Sequence, residues 1–300
     1  MQIRCLQTTG QGYFEEVEYI KHEPGDYEIE VKALMTGVCR SDIDMMQGNF
    51  GPLPLHMQGH EGLGVVTKVG KNIGMTQVGD IVATRGEPAY ADYYNVRANE
   101  YVTVPEASPK YIIEPVACGL NVITGYLTEV LGRAGPNSRL LLVGSGFLAY
   151  VAYQALKIQN VEFEIDVLGS SNKDIWGNVE LKSQPGGTYD VVIDLVGNRE
   201  LFLDPILNTQ ALIIQGVSRT VNRVEMENLL WKACTMVYPS PRVPGFEDDM
   251  ELAVEWIKNG LLNVDKFWTK CYNRNTEWQQ AFADGADRPS GYSRGYIKWD

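Results

Sequence analysis

Histidine is scarce in this chain, with three copies in 300 residues, at positions 22, 56 and 60. Cysteine is little commoner: five thiols, an odd number, lie far apart at positions 5, 39, 118, 234 and 271. That spacing makes no disulfide framework, so the expected setting is a reducing, cytoplasmic one. No run of 18 apolar residues occurs, which argues against a membrane-spanning helix. The opening residues, MQIRCLQTTG, lack an apolar signal core. Internal repeats and low-complexity segments are missing too. Acidic residues outnumber basic ones 38 to 26, and the net charge of -12 disfavours nucleic acid and anionic membranes as partners. What is present is the composition of a globular protein, 44% hydrophobic and 21% charged. Its length suits two domains and a large core that needs no covalent staples.

The pattern along the chain changes once. Residues 1–105 read as short strands separated by glycine and proline. Residues 27–34 alternate with period two after the turn Pro24-Gly25-Asp26, and residues 64–70 and 78–83 are two more strands. Many short strands of this kind suggest a small antiparallel barrel. Residues 112–132 then read as helical, ending at Gly132 and Gly135-Pro136. The apolar run Arg139–Val143 reads as a strand buried on both faces. A helix is expected over 150–158, and strands over 162–168, 189–195 and 211–215. Strands alternating with helices predict a parallel, doubly wound sheet. An amphipathic helix is expected over 247–260, stopped by Gly260. The last thirty residues look irregular until a strand at 295–299.

Between the strand 139–143 and its helix lies Gly144-Ser145-Gly146-Phe147-Leu148-Ala149, a GxGxxA loop. The first glycine allows the tight turn and the second lets backbone approach a pyrophosphate. Ala149 is small enough for helix–strand packing at the third position. The helix N-terminus offers free N–H groups and partial positive charge to phosphate. An ordinary glycine turn is the alternative, and the strand–loop–helix context favours a dinucleotide. Its identity turns on the end of the next strand, where NAD sites place an acid about 20 residues on. Here that position is Gly169, in the run Gly169-Ser170-Ser171-Asn172-Lys173, whose small residues, hydroxyls and lysine suit the 2′-phosphate of NADP. Asp166, three residues earlier, reads as a solvated strand carboxylate pointing away, though a slipped register would make it the ribose acid of an NAD site.

The segment GVCRSDIDMMQGNFGPLPLHMQGHE, residues 37–61, holds Cys39, His60 and Glu61. They are either a thiol and an imidazole satisfied by packing, or ligands that meet at a metal. A catalytic zinc takes three protein ligands from thiolate, imidazole and carboxylate, and keeps a fourth position open.

In order, Gly37-Val38-Cys39-Arg40-Ser41-Asp42, Gly59-His60-Glu61, Val78-Gly79-Asp80-Ile81-Val82, Glu114-Pro115-Val116-Ala117-Cys118-Gly119, the GxGxxA loop and Ser293-Arg294-Gly295 resemble the zinc-dependent medium-chain dehydrogenase/reductase family. The likeness is greatest to its sorbitol and threonine dehydrogenase branch and covers nearly the whole chain. The resemblance implies an α/β chain with a GroES-like zinc domain over residues 1–121 and 267–300 and a Rossmann domain over 122–266. It implies Cys39, His60 and Glu114 as zinc ligands, with Glu61 beside the metal and able to exchange as a ligand. Cys118-Gly119 also resembles the third-ligand position of the ethanol-oxidising branch, so Glu114 and Cys118 compete for that role. Asp42 would orient His60. Ser41 would hold the substrate hydroxyl and pass its proton on, and either Asp44, where the ethanol-oxidising branch has a histidine, or water would continue the relay. The cofactor would be held by Gly144, Gly146, Phe147, Leu148, Ala149, Gly169, Ser170, Ser171, Lys173, Val196 and Gly216, with Arg40 and Arg294 on the pyrophosphate. His22 and His56 are expected at the surface.

Residues 84–94, TRGEPAYADYY, stand where the family often carries a four-cysteine zinc lobe, and contain no cysteine. One zinc per chain is therefore expected. The implied activity is hydride transfer between a secondary alcohol, a polyol or sugar derivative, and NAD(P). A homodimer or homotetramer is the implied assembly. The rivals are a zinc-free reductase of activated double bonds with the same fold, and a non-catalytic nucleotide-binding protein.

Overall fold

The computed structural model describes residues 1–50, 58–86, 88–197, 204–217 and 226–299, so His56 lies outside the described residues. Contacts divide the chain into two units, Met1–Val116 with Met250–Asp300, and Ala117–Asp249. Both breaks fall inside helices, Glu114–Thr124 and Phe246–Lys258.

The first unit is built on a seven-stranded sheet. Its order is Trp268–Asn273, Arg294–Lys298, Glu28–Gly37, Gly62–Val69, Ile81–Thr84 and Tyr101–Thr103, with Tyr93–Arg97 also paired to Glu28–Gly37. Every pairing is antiparallel except Trp268–Asn273 with Arg294–Lys298. Glu28–Gly37 organises the sheet. Its first half pairs with Tyr93–Arg97 and its last residues with Arg294–Lys298. Ile29, Val31 and Ala33 join Val66, Val82, Tyr94 and Ile297 in one core, where Phe14 stacks on Phe282 with ring centroids 3.7 Å apart. Each large side chain removed from water in this way contributes about 1.5–3 kcal/mol.

Two helices of this unit depart from the expected pattern. Arg40–Met46 follows the strand directly; the Asp42 carboxylate accepts the Cys39 N–H at 2.8 Å and so closes its first turn. The C-terminal stretch expected to be irregular contains the helix Trp278–Asp287, which buries Ala281, Phe282 and Gly285 on one face. Their i, i+1, i+4 spacing is helical, but the apolar stripe is too short to stand out among polar neighbours.

The second unit is a six-stranded parallel sheet in the order Leu181–Lys182, Glu164–Leu168, Arg139–Val143, Tyr189–Asp194, Leu207–Gln215, Thr235–Val237. Leu140 to Val143 are fully buried, as an apolar strand covered on both faces must be. The helix after it begins at Phe147, three residues earlier than its apolar periodicity suggested. Four neighbouring strands end level: Leu168, Val143, Asp194 and Gln215 are in register. Gly144, Gly169 and Gly216 each follow one of these ends, so they line a single edge of the sheet.

Candidate functional site

In the first unit, Cys39, His60 and Glu61 bring Sγ, an imidazole nitrogen and a carboxylate oxygen within 4.8 Å of one another. Cys39 caps the helix Arg40–Met46, while His60 and Glu61 precede the strand Gly62–Val69. Gln58 anchors that segment through two 2.7 Å hydrogen bonds with the Thr8 backbone. Gly59 has φ of +85°, and a Cβ there would come within 2.6 Å of the Tyr90 backbone nitrogen, so no other residue fits the turn.

The electrostatics favour a cation. Asp42 is buried and faces His60 Nδ1 at 3.5 Å, and its other oxygen accepts the Tyr90 hydroxyl at 2.7 Å. Burial pushes the Asp42 carboxyl up and the Tyr90 phenol well up. Burial opposes charge on His60, but Asp42, Cys39 and Glu114 outweigh it and hold the imidazole well above its ordinary range. Glu61 is fully buried; Arg294 pairs with one of its oxygens, and Oε1 has no hydrogen-bond partner among the described residues. Burial works against the Arg294 guanidinium, yet Glu61 and Cys39 raise its pKa further. An orphaned carboxylate oxygen beside a thiol and an imidazole fits a divalent metal of borderline softness.

In the second unit the GxGxxA loop stands at the level strand ends. A Cβ on Gly146 would meet nothing within 4 Å, and Gly146 has φ of -85°, so neither packing nor backbone demands glycine there. Open space beside the N-terminus of a twelve-residue helix is what a pyrophosphate needs. Ala149 is buried and lies against Gly144, as the small third position requires. Gly169 is different: a Cβ there would come within 2.5 Å of Ser145 Cβ.

Residues 24–110 match the model of the alcohol dehydrogenase GroES-like domain. In that segment the chain resembles the medium-chain dehydrogenase/reductase family. Among curated proteins similar to this chain, an alcohol dehydrogenase of Schizosaccharomyces pombe is 29% identical over 48% of this chain and 49% of its own. A probable mannitol dehydrogenase of Medicago sativa is 28% identical over 59% of this chain and 63% of its own. The chain thus spans between half and two thirds of the length of these curated relatives. In fold, a thermostable alcohol dehydrogenase from Pyrobaculum aerophilum superposes with a TM-score of 0.81 at 17% identity, covering 99% of this chain and 100% of the other.

The remaining sequence candidates fall as follows. Glu114 is buried in the first turn of its helix and its charge reaches His60, but it stands outside the three-donor group. Cys118 lies one turn further along and is half-buried. Ser41 places its hydroxyl 3.3 Å from His60 Nε2. Asp44 pairs with Arg40 at 3.4 Å, and Arg294 is engaged by Glu61. Phe147 is buried, Leu148 half-buried, and Ser170, Ser171 and Lys173 are exposed. The Val196 N–H is held by Asp194 Oδ1 at 2.9 Å. His22 is exposed.

Asp166 is a correction. Far from being solvated, it is buried between Lys182 at 2.5 Å, Arg139 at 2.8 Å and the Tyr189 hydroxyl at 2.8 Å. Three neighbouring strands supply these partners, and no local pattern announces them. Each unit also contains residues that the sequence did not single out: Tyr90 behind Asp42 in the first, and Ser145, Asn172 and Trp176 around the glycine loop in the second.

Proposed function

We propose that this chain is a zinc-dependent alcohol dehydrogenase that transfers hydride between a secondary alcohol, a polyol or sugar derivative, and a nicotinamide dinucleotide, with NADP preferred. One observation carries the reading. A thiol, an imidazole and a buried carboxylate, one of whose oxygens has no hydrogen-bond partner among the described residues, converge within 4.8 Å, in a chain that also has a glycine loop at level parallel strand ends.

Cys39 and His60 would hold the metal, with Glu114 as the third ligand and Glu61 as an exchangeable one. A zinc bound there supplies Lewis acidity, which makes an alcohol proton easier to lose. Asp42 faces Nδ1 of His60 and orients the ring, which would turn Nε2 toward a bound metal. Ser41, beside that nitrogen, holds the substrate hydroxyl and takes its proton, and Asp44 receives it next. The hydride chemistry belongs to the nicotinamide, while the protein fixes its orientation.

Three features support NADP. Asp166 is engaged by two cations and cannot serve a ribose. Gly169 has no space for a side chain. Ser170, Ser171 and Lys173 are exposed and able to donate to a 2′-phosphate. The same family resemblance supports a homodimer or homotetramer.

The test is elemental analysis of the purified chain together with absorbance at the reduced-nicotinamide band against a panel of polyols and ketones. About one zinc per chain and NADP-linked turnover that is lost on chelation are expected. A zinc-free chain that reduces activated double bonds would replace this reading with its nearest rival.

A further inference from the structure

The backbone carbonyl of Ser145 lies in the middle of the glycine loop and takes two hydrogen bonds. The Asn172 side-chain amide donates to it at 2.9 Å, and the Trp176 indole N–H donates at 3.0 Å. Both donors come from the segment after the strand Glu164–Leu168, more than 25 residues along the chain, and both are directional. Trp176 is buried and held edge-on by Tyr150 and Tyr153, with ring centroids 5.2 and 5.3 Å away. Asn172 sits in the left-handed region with φ of +58°, which asparagine tolerates better than most residues. Its backbone position is therefore occupied at some cost, and the amide it delivers is what that position supplies. Ser145 Oγ also lies 3.0 Å from Ser171 Oγ, so the two loops are joined by side chains as well.

A trans peptide points its carbonyl and the following N–H to opposite sides. Pinning the Ser145 carbonyl therefore fixes the Gly146 N–H on the opposite side of that peptide, and among the described residues a Cβ on Gly146 itself would meet nothing within 4 Å. We infer that Asn172 and Trp176 are positioning residues for pyrophosphate: through the Ser145 carbonyl they hold the Gly146 N–H in the orientation that receives a dinucleotide phosphate. This inference rests on the nucleotide-binding reading above. It also means that one segment, residues 170–176, presents side chains to the 2′ end of the nucleotide and sets the phosphate loop from behind.

The test separates ligands that carry a pyrophosphate from one that does not. Trp176→Phe keeps an aromatic ring between the tyrosines and removes only the N–H. Asn172→Gly keeps the left-handed backbone and removes the amide. Dissociation constants for NADPH, ADP and adenosine 2′-monophosphate are measured by calorimetry on the full chain and each variant. Each lost hydrogen bond should weaken NADPH and ADP by about five- to tenfold and leave adenosine 2′-monophosphate within about twofold. A structural role without positioning would weaken all three ligands together, and that result, or unchanged binding of all three, overturns the inference. Should Trp176→Phe fail to fold, Asn172→Gly carries the same comparison alone. Wild-type protein that binds none of the three ligands would overturn the nucleotide-binding reading itself, which distinguishes the two failures.

Discussion

Ser145 occupies the space that a side chain on Gly169 would need. The two residues are 24 apart in sequence, yet a Cβ on Gly169 would sit within 2.5 Å of Ser145 Cβ. The position where an NAD enzyme carries its ribose-binding acid is thus closed from below by the glycine loop itself. This alters what a substitution there can do. An acid at 169 ought to favour NAD by accepting the ribose hydroxyls, but it has first to displace Ser145, and overpacking costs about 1–3 kcal/mol.

Gly169→Asp alone should therefore weaken both NADH and NADPH, and lower the melting temperature. The double variant Ser145→Gly, Gly169→Asp should recover NADH binding and turn the preference toward NAD. Fluorescence titration with both reduced cofactors measures this. Tighter NADH binding in the single variant with no loss of thermal stability would contradict the packing argument.

A second prediction concerns Asp166. Burial raises a carboxyl pKa, but Lys182, Tyr189 and Arg139 outweigh it and hold this carboxyl below its ordinary value. A lowered folded pKa means that the pairing stabilises the protein fully above the unfolded value near 3.9 and loses its contribution as pH falls through the folded value. Removing one member of a buried pair costs about 3–5 kcal/mol, and the partial exposure of both cations puts Asp166→Asn near the lower end. The variant should be destabilised most at pH 7 and progressively less as pH falls below the unfolded value through the lower folded one, so the two melting curves converge in acid. Equal destabilisation at both pH values would mean that packing, not charge, is what the substitution removes.

How far the sequence reveals these sites depends on how local their signals are. Arg139–Val143 and the glycine loop are legible because an apolar run and three small residues lie next to each other. Cys39, Ser41, His60 and Glu61 are legible as family motifs, and Gly59 marks the turn that aims His60. The helix Arg40–Met46 was hidden because its first-turn cap is Asp42, a residue already read for another role. Asp166 and the Ser145 carbonyl were hidden for a different reason. Their partners come from neighbouring strands and from a loop more than 25 residues away, and such pairings exist only once the sheet order is set.

The third metal ligand gives another test. Glu114 is buried and its charge acts on His60, whereas Cys118 is half-buried one turn later on the same helix. Glu114→Ala should lower both zinc content and turnover. Cys118→Ala should behave as a small packing change, since the volume lost is slight. Zinc measured per chain by mass spectrometry decides between them. A Cys118→Ala protein without zinc, beside a Glu114→Ala protein that keeps it, would exchange their roles.

The last prediction isolates proton transfer from metal binding. Ser41 Oγ lies 3.3 Å from His60 Nε2, and its residue is only partly buried, so its loss should leave the core and the donor cluster in place. Ser41→Ala should retain zinc and nucleotide affinity while turnover in the alcohol-oxidising direction falls by about 10² to 10⁴, the usual contribution of a general acid–base group. Asp44→Asn should cause a smaller fall, because Asp44 is one step removed and water can stand in for it. The pairing of Asp44 with Arg40 adds a control. If Asp44 matters only as a partner of Arg40, then Arg40→Gln should reproduce the effect of Asp44→Asn on turnover. If it carries the proton, Asp44→Asn should also change the pH dependence of turnover, and Arg40→Gln should not abolish that dependence. Steady-state profiles of the three variants with one alcohol would decide the matter, and unchanged turnover in Ser41→Ala with hydride transfer rate-limiting would remove the serine from the proton path.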